Sequence, residues 1–289
     1  MYVFIMITAY VDHYLKLEDQ ISLYKALNLQ QMPLRKIGKE SLYVKDDDFL
    51  EHLSKTLKAH KITPAYIDIV EHYTLMDLID VERIFYIAKV LNVNTVLLNL
   101  PTLTDFQIEK DLFIQTIETF LNTFKKEKIT PVFHVNYEID SAYIAYLIHT
   151  FKDIKFSYNP GLCYYHDKAA SMYHRLLANH MTHVLLYDID ENKEIALLGY
   201  GEAKIMDTLD RLILEKYKGD VILDTNLLEY IHNRKAIYGT LFKLPFFKHN
   251  KSKKAYQQIE DKLGLTKEDD VTFQDIYVSQ IALVKRYLK

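Results

Sequence analysis

The sequence predicts an α/β chain, specifically a (β/α)8 barrel. Two observations carry that prediction. Eight short apolar runs alternate with segments of helical period along most of the 289 residues. Several of these runs also end on polar or turn residues (NPG at 159–161, YD at 187–188, DTN at 224–226), where a parallel barrel gathers its reactive groups. At 49% apolar content the chain is long enough for one such barrel to occupy most of it.

The candidate strands are Tyr2–Thr8, Gln31–Ile37, Ala65–Val70, Thr95–Leu100, Pro131–Asn136, Lys155–Tyr158, His183–Asp188 and Asp220–Asp224. TVLLNL has the continuous apolarity of a strand covered on both faces. The second run is the weakest, because Pro33 removes a ladder donor. Between the strands, Leu50, Leu53 and Leu57 form a helical stripe after the acidic cap Asp46-Asp47-Asp48. Further stripes run through Leu78, Ile84, Phe85, Ala88 and Leu91, through Ile114, Ile117, Leu121 and Phe124, and through Tyr143, Leu147 and Phe151. Two more follow at Met172, Leu176 and Leu177, and at Ile205, Leu209, Leu212 and Ile213. An open sheet remains the alternative if two of the strands are loops.

After about Tyr238 the pattern changes. The expectation is a barrel over residues 1–240 and a helical extension over 241–289 packed on it, with helices through Tyr256–Leu263, ending at Gly264, and through Phe273–Leu288. The basic, aromatic stretch KLPFFKHNKSKK (243–254) imitates a nucleic-acid patch, but is expected to be a solvated loop.

A net charge of −3, from 36 basic and 39 acidic residues, offers no general attraction to nucleic acid or to an anionic membrane. Cys163 is the single cysteine, so no intrachain disulfide forms. The apolar start MYVFIMITAY is too short for a membrane span and lacks the basic flank of a signal peptide. A cytoplasmic protein is expected, with no membrane and no nucleic-acid partner.

The order of four motifs resembles the xylose isomerase-like TIM barrels, a superfamily of sugar isomerases, sugar-phosphate epimerases and family-2 AP endonucleases. YNPGLCY stands where the family usually writes Asp-Pro-Gly-His, HVLLYD where it writes His-Val-His-Leu-Lys-Asp, and LGYGE (198–202) precedes Tyr217-Lys218-Gly219 and the eighth strand in the usual order. The resemblance covers roughly residues 1–230 and is specific as a set, each motif alone being weak. It implies a sugar (phosphate) isomerase or epimerase that moves a proton next to a carbonyl. It also implies a divalent metal (Mn, Mg, Co or Zn) on strands five to eight. At the corresponding positions stand His134, Asn159 and Asp224, with Leu162 and Leu185 where histidines would be, an incomplete ligand set. The AP endonuclease branch is excluded, since Lys193 and Ile195 occupy the loop before LGYG. No nucleotide cofactor is expected. The partner implied is a small carbohydrate or sugar phosphate; the alternative is a non-catalytic barrel of this kind that binds a small ligand or a protein.

Each candidate has a plainer reading beside the functional one. His134, in PVFHVNYE, serves as metal ligand, general base or structural histidine. Asp224 is costly to bury unpaired and is therefore solvated, paired or ligating. Asn159-Pro160-Gly161 most economically forms a type II turn. Asp188 orients a substrate or caps a loop, and the amides of Gly199 and Gly201 are available to a hydroxyl or phosphate. Glu71 and His72 are chemically capable as an acid/base pair of which one at most faces the pocket, because adjacent strand residues point apart. In an active enzyme His134 is expected as base or ligand and Asp224 as the partner carboxylate, with Asp188 and Glu71 in support. Tyr137, Tyr158, Tyr164 and Tyr165 stack on a sugar or fill the core.

Overall fold

The structure, a computed structural model, describes residues 5–13, 16–103, 105–225 and 273–288. Eight strands make one parallel sheet that curls into a nearly closed barrel: β1 (Met6–Ala9), β2 (Gln31–Leu34), β3 (Thr63–Ile69), β4 (Thr95–Leu98), β5 (Thr130–His134), β6 (Phe156–Tyr158), β7 (Met181–Leu186) and β8 (Asp220–Leu223). Ladders join β8 to β1 and then every neighbouring pair from β2 to β8, while β1 and β2 lie in contact at a seam with no ladder between them. Pro33 sits at this seam, where the β2–β3 register shifts between Met32 and Leu34, so its missing N–H costs no interior bond.

Helices α1 (Leu17–Ala26), α2 (Asp47–Ala59), α3 (Val81–Leu91), α4 (Phe106–Lys126) and α5 (Ser141–Thr150) follow strands one to five. The short α6 (Pro160–Tyr165) and then α7 (Ala170–Leu177) follow β6; α8 (Ile205–Leu214) follows β7. The last described helix, α9 (Phe273–Tyr287), lies against β1 and α1, and Tyr287 donates to Asp210 of α8 at 2.8 Å. It stands between the first and last helices of the ring, where an eighth helix belongs. Residues 2–4 of the first expected strand, the basic stretch 243–254 and the helix ending at Gly264 lie outside the described residues.

Two of the expected stripes are buried as the period requires, Leu50, Leu53 and Leu57 in α2 and Ile84, Phe85, Ala88 and Leu91 in α3, whereas Leu78, which lies before α3, and Ile213 of α8 are exposed. Asp46 caps α2 by accepting from Phe49 N at 2.8 Å. Helix α1 was not expected; its stripe of Leu17, Ile21 and Tyr24 is interrupted by Gln20, which is buried and donates to Lys36 O at 3.2 Å.

Strand alternation gives the barrel a large outer core beneath the helices and a small inner one. Tyr10, Tyr66, Leu97, Val132, Leu185 and Ile222 fill the inner core. Below them lies His183, edge-on to Tyr66 at 4.8 Å, with Asp220 at 3.5 Å. Burial, then the neighbouring His134, pushes the His183 imidazole down to about 4. The unfolded chain takes up this proton near the ordinary value of 6.5 while the folded chain resists until about 4, so folding stability is lost as pH falls through that window. His183→Gln removes this contribution. Its stability relative to wild type rises on acidification from pH 6.5 to 4, by up to about 1.4 kcal/mol per pH unit, measured by urea unfolding. An unchanged difference across the window would show that His183 does not titrate this way.

Candidate active site

Two positions above the inner core, the same alternation crowds polar side chains around the barrel mouth. Asp12, Arg35, Asp68, Asn99, His134, Ser157, Asn159 and Asp224 share the inward parity and line two adjoining cavities of about 380 and 300 Å³. Two hydrogen-bonded groups organise them.

The first is a row. Asp68, buried on β3, accepts from Tyr10 Oη at 2.6 Å and faces His134 Nε2 at 2.8 Å; the other nitrogen, Nδ1, lies 2.7 Å from Ser157 Oγ. Burial alone would raise the Asp68 carboxyl, but His134, Arg35 and Tyr10 outweigh it and hold it below the usual carboxylate range. An ionised carboxylate accepts only. The Nε2 proton is therefore assigned to the Asp68 side, which leaves Nδ1 as the basic nitrogen receiving the Ser157 hydroxyl.

The second group centres on Arg35. Its Nε and Nη2 donate to the two oxygens of Asp12 at 2.8 and 3.0 Å, Nη1 reaches Asp224 Oδ1 at 2.8 Å, and the guanidinium lies 3.9 Å over the Tyr10 ring. Burial pushes the Asp224 carboxyl up to about 6 despite this cation. The Tyr10 carbonyl in turn accepts from Tyr277 of α9 at 2.7 Å.

The expected residues separate here. His134, Asn159 and Asp224 do converge on one mouth, with Leu162 and Leu185 beside them. Glu71 has the opposite parity and accepts from Ser41 outside the mouth; His72 takes the pocket position instead. Asp188 lies fully buried outside both mouth cavities, accepting from the N–H groups of Ile189, Gly199, Gly201 and Ala203 at 3.0, 2.8, 3.1 and 3.3 Å. Burial raises its carboxyl to about 6 against those four donors. The amides of Gly199 and Gly201, expected to be open to a phosphate, are thus spent on Asp188. A Cβ at Gly201 would lie 2.2 Å from that carboxylate, which accounts for the glycine.

Asn159-Pro160-Gly161 is not a type II turn. Asn159 caps α6, its Oδ1 accepting from Leu162 N at 3.0 Å, and Pro160 occupies the first helical position, where its fixed φ and missing N–H cost nothing. Tyr137 and Tyr158 are buried core residues, and Tyr158 points out of the barrel.

Asp12, Arg35, Asp68 and Ser157 were not anticipated. The available signal was parity: Asp68 is a lone charge inside an apolar run (YIDIV), and Arg35, beside Lys36 in MPLRKI, falls on the inward side of its strand.

The donor set does not fit a divalent ion. Both His134 nitrogens are hydrogen-bonded, the Asn159 oxygen caps a helix, and Asp224 holds a guanidinium. Among the described residues no three His, Cys, Asp or Glu side chains are grouped to bind a metal, and no helix is long and apolar enough to cross a membrane.

No protein-family model matches the chain, and no curated protein does. Solved structures do. A D-psicose 3-epimerase with D-tagatose from Clostridium cellulolyticum H10 superposes with a TM-score of 0.65 over 99% of this chain and 100% of its own, at 10% identity. The IolI protein with a bound zinc atom gives 0.61 over 98% and 99%, at 12% identity. A xylose isomerase domain protein from Planctomyces limnophilus gives 0.61 over 91% and 96%, at 11% identity. Likeness at this identity speaks for architecture, and the chain has the fold of the xylose isomerase-like TIM barrels.

Proposed function

We propose that this chain is a sugar (phosphate) isomerase- or epimerase-like protein, acting on a small carbohydrate by acid/base proton transfer at the barrel mouth. The observation that carries the reading is the Asp68–His134–Ser157 row opening on a cavity of sugar size. Asp68 orients His134 and stabilises its protonated form. Nδ1 takes the proton from the carbon next to a carbonyl, across or in place of the Ser157 hydroxyl, whose rotor is free to turn away. Asp224, with its carboxyl raised to about 6, is the partner acid/base. Arg35 supplies fixed positive charge at the mouth, facing the oxyanion that develops as the proton leaves. Glu71 and Asp188 act only through the loops they hold. Likeness to an epimerase fold supports the class of substrate.

A second reading, a barrel that binds a small ligand or a protein partner without turnover, draws on Leu162 and Leu185 in the mouth and on the closed Asp12–Arg35–Asp224 cluster.

Incubation with a panel of ketoses and their phosphates in deuterated water is expected to exchange the proton next to the carbonyl. His134→Ala should lower that exchange by about 10²–10⁴-fold; no exchange with any substrate, beside clear ligand-induced stabilisation, would favour the second reading. Manganese, magnesium, cobalt and zinc ions are expected to leave thermal stability unchanged, and stoichiometric metal in the purified protein would overturn the metal-free mechanism. Arg35→Met strands two buried carboxylates and should cost about 3–5 kcal/mol at pH 8. The loss should shrink at pH 5, where Asp224 takes up a proton, and urea unfolding at the two pH values measures the difference.

A further inference from the structure

A cavity of about 460 Å³ lies on the outside of β6, between α7 and α8. Ser157 and Asn159 point inward to the mouth, whereas Tyr158 between them points outward into this second space. Its lining brings together groups that share one preference.

Helices α7 and α8 both begin here, and neither N-cap residue, Ala169 or Lys204, supplies a capping side chain. Ala170 and Ser171 of one first turn and Asp207 of the other line the cavity, so two sets of unspent N–H groups and two positive helix ends meet it. Lys168, Lys204 and Arg211 stand around it, and among the described residues none of the three forms an ion pair. Lys168 and Arg211 are half-buried, with their stems against the protein and their charged heads free for a ligand. His174 also lines the cavity. It is 1% exposed, its Nε2 is held by Glu215 at 2.8 Å, and its Nδ1 has no hydrogen-bond partner. The carboxylates of Glu202 and Asp207 offset only part of the positive charge.

We propose that this cavity is a binding site for a phosphate group, separate from the barrel mouth and independent of the reaction assigned there. The two helix starts and the three cations receive the oxyanion. With Nε2 donating to the Glu215 carboxylate, His174 Nδ1 is left as an acceptor for an O–H of the ligand. Glu202 and Asp207 are acceptors for hydroxyl groups, which suits a phosphate ester of a polyol better than orthophosphate alone. The chemistry is common to both sources, and the titration separates them.

Calorimetric titration of the full chain at pH 7.5 and constant ionic strength, with inorganic phosphate, a hexose 6-phosphate and the free hexose, tests the site. Saturable binding of a phosphorylated species, weakened at least 10-fold in Arg211→Gln and in Lys204→Gln, is the expected result. His134→Ala should bind it like wild type, which keeps this outcome apart from any failure at the mouth. Tighter binding of the hexose phosphate than of inorganic phosphate identifies an ester site, and equal binding identifies a site for the bare oxyanion. Absence of saturable binding by either, or binding that Arg211→Gln and Lys204→Gln leave intact while His134→Ala removes it, would overturn the proposal. Circular dichroism of each variant establishes that it is folded.

Discussion

A guanidinium buried among carboxylates is the constraint on which this barrel's mouth depends. Closing a parallel sheet into a ring forces the inward residues of all strands toward one axis, and here three of those residues are aspartates from β1's end, β3 and β8's end. Like charges so close cannot all stay ionised in a low-dielectric space without a cation. Arg35 meets two of them directly and Tyr10 beneath it hydrogen-bonds the third. Because Arg35 comes from β2 and its partners from beyond β1 and β8, the same ion pairs bridge the seam where no backbone ladder runs. Tyr277 of α9 ties into the group through the Tyr10 carbonyl, so the last helix is coupled to the mouth by a hydrogen bond as well as by packing.

Asp188 shows how a carboxylate at a strand end serves structure rather than chemistry. Two backbone N–H donors to each oxygen leave it little capacity for a substrate, and its hydrogen bonds fold the segment from Gly199 to Ala203 back over it. That folding sets where α8 begins. The contrast with Asp68 is one of parity: Asp68 points to the axis and meets a histidine, Asp188 points away and meets backbone.

The architecture was largely legible because it rests on periodicity. All eight strands fall within a few residues of their apolar runs, and Glu71 and His72 do point apart as adjacent strand residues must, but it is His72 that lines the pocket and not Glu71, the one the sequence favoured. What escaped was pairing across the ring. That Asp68 reaches His134 from two strands away, or that Arg35 bridges Asp12 and Asp224, depends on the radius and stagger of the closed barrel, which no local pattern encodes. Local alternatives were also close in energy at Asn159-Pro160-Gly161, where the same residues suit a turn or a helix start. Gly161 decides it by contact: a Cβ there would lie 2.0 Å from the Tyr187 carbonyl, so the glycine is needed for close packing of α6 against the end of β7 rather than for a positive φ.

The end of β6 is where the two cavities meet in a single stretch of chain. Ser157 feeds the row that sets His134, Tyr158 stands in the wall of the phosphate cavity, and Asn159 fixes the start of α6 at the mouth's rim. Tyr158 also donates to Ala170 O in the first turn of α7 at 3.2 Å, linking that turn to the strand. Strand alternation keeps the two spaces apart across one strand end: Ser157 and Asn159 face the mouth and Tyr158 between them faces the outer cavity, so the strand itself is the wall that separates them.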